Sequence, residues 1–199
     1  AYVSTQATSA IGEDKLYAGD GVTLTDVTPP GVHAIQDRGR GVVWADFDND
    51  GDLDLYQAHG SGCPCEWEVL PVSWIEASRN RMYRNDDGVL VDVTDDVVGD
   101  VNNGRGVTVG DYDNDGDLDI FVANLAIAGE IDGPKNIGAF GGTDRLYRND
   151  GDFVFVDVTP PAMIDDTKSD RSAAFIDADN DGDLDLHTAG IGANPSRLW

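Results

Sequence analysis

Basic residues are scarce in this sequence. Lysine and arginine together number 13, against 38 aspartates and glutamates, which gives a formal net charge of −25 at pH 7. Nucleic acids and anionic membrane surfaces would repel a chain with so large a negative charge. The charge therefore argues against both classes of partner and favours cations.

Long hydrophobic runs are also missing. No stretch approaches the roughly 20 consecutive apolar residues that a membrane-spanning helix requires, so we predict no membrane insertion. The sequence shows no signal peptide, and its start "AYVSTQ" lacks a methionine, which is typical of a mature chain that has already been processed.

Cysteine occurs only twice, at Cys63 and Cys65 in "GCPCEW". A structural zinc site needs further cysteine or histidine ligands, and His33, His59 and His187 show no ligand spacing. The two cysteines are therefore either a small-ring disulfide or two free thiols, and the extracellular character of the rest of the chain favours the disulfide.

Motifs of common catalytic sites are absent as well. The sequence contains no G-x-S-x-G, no Cys/His pairing and no histidine-based metal triad. It also offers no amphipathic stretch long enough to predict a helix. We expect that the protein is not an enzyme.

What the sequence does contain is an internal repeat. The acidic segments "DFDNDGDLD", "DYDNDGDLD" and "DADNDGDLD" occupy residues 46–54, 111–119 and 177–185, at intervals of 65 and then 66 residues. Runs rich in β-branched residues flank each segment, and "NDG" or "DG" turns separate the later runs. Each unit is typical of four short strands, so the sequence predicts an all-β fold.

The spacing within each acidic segment suits one hard cation. Carboxylates at loop positions 1, 3 and 5, a glycine at position 6 and an aspartate at position 9 can surround a calcium ion, which takes about six to eight oxygen ligands. An EF-hand would instead need a glutamate at position 12, where this chain has Gln57, Val122 and Thr188. We therefore predict three Ca²⁺ sites, each in a loop between strands.

These segments resemble the FG-GAP/VCBS type of repeat, which also forms the β-propellers of integrin α-chains. The resemblance extends from about Asp14 through nearly all of the chain and includes "GDYDNDGDLDIFVAN" and the "LYRNDG" phrase before "DVT". It implies that each unit is a four-stranded propeller blade, with the acidic loop between its first two strands. At position 7 the main-chain carbonyl would be the ligand, which leaves the side chain to face solvent. The metal ligands that the resemblance implies are Asp46, Asp48, Asp50, Asp52 and Asp54 in the first loop, Asp111, Asp113, Asp115, Asp117 and Asp119 in the second, and Asp177, Asp179, Asp181, Asp183 and Asp185 in the third.

The number of blades departs from a complete propeller. Two full units and a partial unit at each end make about three blades, whereas closed propellers have about four to eight. The chain is then a fragment of a longer propeller, half of a ring of two chains, or a unit that joins neighbouring copies head to tail into a filament. Residues 14–199 are predicted to form one repeat domain, and residues 1–13 an extension that could donate a strand to a neighbouring chain.

These observations predict a secreted, calcium-stabilised structural or adhesive protein, extracellular or at the cell surface, that associates with itself through sheet edges. Weak, numerous calcium sites suit millimolar extracellular calcium. The alternative is a carbohydrate-binding, lectin-like module. In that case Tyr56, Trp67 and Trp74, which cluster near the insertion at 60–79, would be exposed and stack on sugars, and glycans or surface proteins would be the partners.

Overall fold

The structure of the protein is a computed structural model that describes residues 2–3, 15–29, 39–60, 79–125, 143–164, 170–190 and 196–199. Within these residues the chain forms fourteen strands and one four-residue helix, arranged as four antiparallel sheets. The prediction of an all-β, propeller-like repeat is confirmed.

The second and third sheets are complete blades. Each contains four antiparallel strands that pair in the order of the sequence. The strands of the second sheet are β4 Gly39–Ala45, β5 Asp54–His59, β6 Arg81–Asp86 and β7 Val89–Asp92. Those of the third sheet are β8 Gly104–Gly110, β9 Asp119–Asn124, β10 Arg145–Asn149 and β11 Phe155–Asp157.

Among the described residues, the first and fourth sheets each have three strands. In the first, the order is β1 Tyr2–Val3, β2 Lys15–Gly19 and β3 Leu24–Asp26, and in the fourth β12 Asp170–Ile176, β13 Asp185–Gly190 and β14 Arg197–Leu198. Tyr2 pairs with Leu16 of the same chain, so the N-terminal extension supplies a strand to its own first sheet. Its donation to another chain stays a prediction.

Local sequence explains the turns. The β6–β7 hairpin closes at Asp87 and Gly88, whose φ angles of 52° and 91° are both positive. Aspartate followed by glycine favours this two-residue turn, because both residues tolerate the left-handed conformation better than most. The "DG" hairpin turn predicted from the sequence is therefore present.

The core lies between successive sheets. The first strands β4, β8 and β12 lie next to one another, and one cluster of buried side chains combines Tyr56 and Met82 of the second sheet with Ile120 and Tyr147 of the third. The Tyr56 hydroxyl donates to the Val98 carbonyl at 3.0 Å, which satisfies a polar group that would be costly to bury alone. A second cluster joins the third sheet to the fourth through Phe121 and other buried residues.

One short helix was not predicted. Helix α1, Pro161–Ile164, follows β11, and the amides of Met163 and Ile164 donate to the Pro160 carbonyl. The sequence "TPP" indicates a strand terminator, but proline is also compatible with the first helical turn because the amide it lacks has no partner there. Met163 is buried and packs with the second cluster.

Several predictions fall outside the described residues. These concern Cys63 and Cys65 and the aromatic residues Trp67 and Trp74. The expectation that Tyr56 is exposed for sugar stacking is wrong, because Tyr56 is fully buried in the core between the second and third sheets. In the ranges that the structure describes, no helix has the length and apolar character needed to cross a membrane.

Candidate metal centre

Each acidic segment connects the first two strands of its sheet. Loop 1 (46–54) joins β4 to β5, loop 2 (111–119) joins β8 to β9, and loop 3 (177–185) joins β12 to β13. The asparagine at position 4 has a φ of 60°, 59° and 63° in the three loops, and the glycine at position 6 has 96°, 99° and 99°. Asparagine and glycine are the residues that adopt this left-handed region most readily, so three separate segments fold in the same way.

The first three aspartates of each loop come together. In each case one carboxylate oxygen from positions 1, 3 and 5 lies within 4.8 Å of the other two. The three groups, here called the carboxylate triads, are Asp46, Asp48 and Asp50; Asp111, Asp113 and Asp115; and Asp177, Asp179 and Asp181.

Backbone amides fix the direction of these carboxylates. Asp46 accepts hydrogen bonds from the amides of Asp50 at 3.1 Å and Gly51 at 3.0 Å, and Asp50 accepts one from the amide of Asp52 at 2.8 Å. The same pattern recurs in loops 2 and 3. The loop therefore wraps around its own carboxylates, with oxygen atoms on the inside.

Burial and the crowding of like charges disfavour the ionised form of the central aspartate. Burial, followed by the charges of Asp50 and Asp46, raises the pKa of Asp48. Burial and the charge of Asp115 raise the pKa of Asp113, and the charge of Asp181 is the largest cause of the raised pKa of Asp179. A cation at each triad would remove this repulsion.

The aspartate at position 9 ties the loop to the sheet. The two oxygens of Asp54 accept the amides of Phe47 at 2.8 Å and Asn85 at 2.9 Å, and those of Asp119 accept the amides of Tyr112 and Asn149, both at 2.9 Å.

Both carboxylates are fully buried, and burial raises the pKa of Asp54 and raises that of Asp119 to about 6. Each oxygen keeps a second lone pair, which is compatible with a metal. In loop 3, Asp185 accepts the amide of Ala178 at 3.0 Å. The prediction that position 9 completes the ligand set stays a prediction.

The side chain of the aspartate at position 7 is predicted to face solvent. It is exposed in Asp183 and half-buried in Asp52 and Asp117, and in each loop it accepts a hydrogen bond. Asp117 accepts from the side-chain amide of Asn49 at 2.7 Å, and Asp183 from that of Asn114 at 2.8 Å. Asp52 accepts the amide of Asp87 in its own sheet at 3.2 Å.

Sequence reasoning missed the asparagines of this region. Asn49 and Asn114 connect one loop to the next, and Asn149 donates from its side chain to the Phe47 carbonyl of loop 1 at 2.8 Å. The signal was the asparagine that recurs at position 4 of all three loops and in both "RND" phrases. An asparagine in such a segment is also typical of a turn. The contacts that it makes between repeats are not visible in the sequence of a single repeat.

The donor set fits a hard cation. Every side chain in the triads offers oxygen, and neither histidine nor cysteine takes part, which suits calcium better than zinc.

A family model described as "FG-GAP-like repeat" matches residues 3–56 and 72–122, more than half of the chain. Cartilage acidic protein 1 from Homo sapiens is 25% identical over 172 residues, which cover 84% of this chain and 22% of the human protein. The proteins of the same name from Xenopus tropicalis and Mus musculus are 25% and 24% identical over the same share of this chain and 23% of their own length. The chain thus spans a little over a fifth of the length of these curated relatives.

Proposed function

Because the chain belongs to the FG-GAP-like repeat family, we propose that its three acidic loops bind calcium and that the bound ions stabilise a non-catalytic, propeller-like structural or adhesive module outside the cell. The observation that carries this proposal is the carboxylate triad, formed three times with the same geometry on three successive sheets.

In each loop the triad would hold the ion, with the position-7 carbonyl and the position-9 carboxylate as further oxygen donors. When bound, calcium supplies positive charge to a site where aspartates repel one another. The residues of the chain supply the enclosure, because Asp46 is held by two backbone amides of its own loop and Asp54 is anchored to β6 through the amide of Asn85.

The free energy that bound calcium contributes to folding is large for a small module. A site whose dissociation constant lies a hundredfold below the free calcium concentration stabilises the folded state by about 2.7 kcal/mol. Three such sites contribute roughly 8 kcal/mol, which is comparable with the whole stability of a typical domain. Calcium is therefore proposed as a structural component and not as a signal.

Two arguments support the proposed extracellular location. Millimolar extracellular calcium is sufficient for sites of modest affinity, and the relatives are named for cartilage and for their acidity, a property that this chain shares with its net charge of −25.

We also propose that the module associates with copies of itself through the fourth sheet. On the second and third sheets, a cross-strand row faces the next sheet and is centred on Tyr56 or Phe121, both fully buried. The equivalent row of the fourth sheet is Ala174, His187 and Leu198, and all three residues are exposed. This face has the geometry of a contact between sheets with no sheet against it among the described residues, and a second copy is the occupant that we propose.

The direct test is calcium titration by calorimetry, together with thermal denaturation in calcium and in EDTA. We expect about three ions per chain and a melting temperature that falls on chelation. Asp113→Asn should lower the stoichiometry by one ion, whereas the control Asp87→Asn removes a charge of the same sign at a turn outside the loops and should not change it. Melting that is indifferent to calcium, with no heat of binding, would contradict the proposal.

A further inference from the structure

The three loops are physically connected. We infer that the hydrogen bonds Asn49–Asp117 and Asn114–Asp183, here called the loop links, couple the metal sites, so that calcium in one loop raises the affinity of the next. This inference rests on the proposed function, because it concerns how the same sites influence one another.

Each loop link starts inside one triad and ends beside the next. Asn49 stands between Asp48 and Asp50 of the first triad, and its side-chain amide donates to Asp117 at 2.7 Å. The backbone amide of Asp117 in turn donates to the carboxylate of Asp115, a member of the second triad, at 2.9 Å. A single asparagine therefore joins two candidate sites that lie 68 residues apart in sequence.

The second loop link repeats this arrangement. Asn114 lies between Asp113 and Asp115 and donates to Asp183 at 2.8 Å. The amide of Asp183 donates to Asp181 of the third triad at 3.0 Å. Two independent occurrences of the same contact, at equivalent positions of the repeat, show that it is a property of adjacent loops and not of one side chain.

A buried contact reinforces the connection between loops 1 and 2. The side chain of Asn149 donates to the Phe47 carbonyl of loop 1 at 2.8 Å, while its backbone amide donates to Asp119 of loop 2 at 2.9 Å. Asn149 is fully buried. In the part of the chain that the structure describes, two connections join loops 1 and 2 and one joins loops 2 and 3. We therefore expect stronger coupling between loops 1 and 2.

The conformational entropy that a loop loses on binding calcium determines the sign of the coupling. A loop crowded with like charges must lose conformational freedom when it closes around an ion. An ion in loop 1 fixes Asn49, which holds Asp117 in place and thereby supplies part of the order that loop 2 needs. The carboxylate of Asp117 also lies between the two sites, where its negative charge reduces repulsion between two cations. Coupling is reciprocal, so an ion in loop 2 favours loop 1 equally.

The chain contains its own matched control. Asn180 of loop 3 occupies the same loop position with a φ of 63° and is exposed, and no partner of its side chain appears among the described residues. Replacing asparagine by glycine at this position is compatible with the positive φ. Asn49→Gly, Asn114→Gly and Asn180→Gly therefore make the same chemical change, and only the first two remove a loop link.

The experiment is calcium titration of the full chain by calorimetry, with melting temperature against calcium concentration as a second measurement. For the wild type and Asn180→Gly we expect cooperative uptake with a Hill coefficient above one. For the double variant Asn49→Gly/Asn114→Gly we expect a Hill coefficient clearly below that of the wild type and an affinity about 5-fold lower for the coupled sites, the lower end of common coupling strengths. The Asn149 contacts remain in this variant and retain part of the coupling between loops 1 and 2. All variants should reach the same stoichiometry.

The outcomes separate the two proposals. Calcium uptake with the same isotherm for the double variant and for Asn180→Gly would overturn the coupling and leave the calcium sites standing. Failure of the wild type to take up calcium would overturn the proposed function itself. Asn49→Asp provides a second variant that retains a residue tolerant of positive φ and places a like charge against Asp117. It should weaken the coupling further, and wild-type cooperativity in this variant would also contradict the inference.

Discussion

At the residue scale, the two complete blades differ at one buried position. Asn80 and Asp144 occupy equivalent places before the third strand, and each side-chain oxygen accepts a backbone amide of the second strand, that of His59 at 2.9 Å and that of Asn124 at 2.7 Å. Asp144 additionally lies beside Asp170, which is fully buried and pairs with Arg197. Burial, and then the neighbouring carboxyl of Asp170, raises the pKa of Asp144 well above its ordinary range.

Asp144→Asn should stabilise the protein at neutral pH. In the wild type the raised pKa means that the stability contributed by protonated Asp144 is fully present below the ordinary carboxyl pKa and is lost as the pH rises toward neutrality. Asparagine keeps the acceptor for Asn124 and carries no charge. We expect a gain of about 1–2 kcal/mol at pH 8 and little change at pH 4, since one pKa unit corresponds to about 1.4 kcal/mol. Urea denaturation of both proteins at both pH values, at fixed calcium, measures this difference in the free energy of unfolding.

The reciprocal change provides the control. Asn80→Asp places a carboxyl at a site that is 1% exposed. This variant should become less stable as the pH rises, because burial disfavours the ionised carboxylate and the unfolded state, where the group ionises freely, is then favoured. A stability difference between Asp144→Asn and the wild type that does not depend on pH would show that the pKa of Asp144 is the same in the native and unfolded states, which would contradict the prediction.

At the element scale, close contact between first strands limits residue size. A Cβ on Gly106 would lie 2.6 Å from the Arg171 carbonyl oxygen and 2.9 Å from the Ser172 Cα, both backbone atoms of β12. At the equivalent Gly41, a Cβ would lie 3.1 Å from the Val107 amide nitrogen. Backbone atoms cannot rotate away as a side chain does, so a larger residue must push the strands apart.

Gly106→Ala should therefore destabilise the packing of the third sheet against the fourth. We expect a loss of about 1–3 kcal/mol, the usual cost of overpacking, measured as a lower midpoint of chemical denaturation. Ser172→Ala at the equivalent position of the fourth sheet is the matched control. Its side chain is exposed, and its effect should stay within about 0.5 kcal/mol. Equal effects of the two changes would show that the first strands separate easily.

The elements that sequence could predict are those with local causes. The "DG" turn at Asp87 and Gly88 follows from residue preference, and the triad of Asp46, Asp48 and Asp50 follows from spacing around a glycine. The link from Asn49 to Asp117 depends on how two sheets stack, and no single repeat contains that information. The same is true of Gly106, whose role is visible only when β12 lies against it.

At the scale of the whole molecule, the net charge disfavours association between copies, whereas the exposed face of the fourth sheet favours it. The net charge of −25 repels one copy from another, whereas the row of Ala174, His187 and Leu198 leaves a sheet face open. Three divalent ions would remove six negative charges, and ionic strength would screen much of the remainder. Association between copies should therefore require calcium and should strengthen as salt increases.

Sedimentation velocity over a range of protein concentrations tests this association. In calcium we expect the wild type to form species larger than the monomer, and in EDTA we expect monomer. Ala174→Glu places a charge in the middle of the open row and should abolish assembly without loss of thermal stability, because Ala174 is exposed in the single chain. Val154→Glu, at a residue 55% exposed in the turn before β11, is the matched control and should assemble like the wild type. A wild type that stays monomeric at all concentrations in calcium, or an Ala174→Glu variant that assembles normally, would show that the fourth sheet is not the contact between copies.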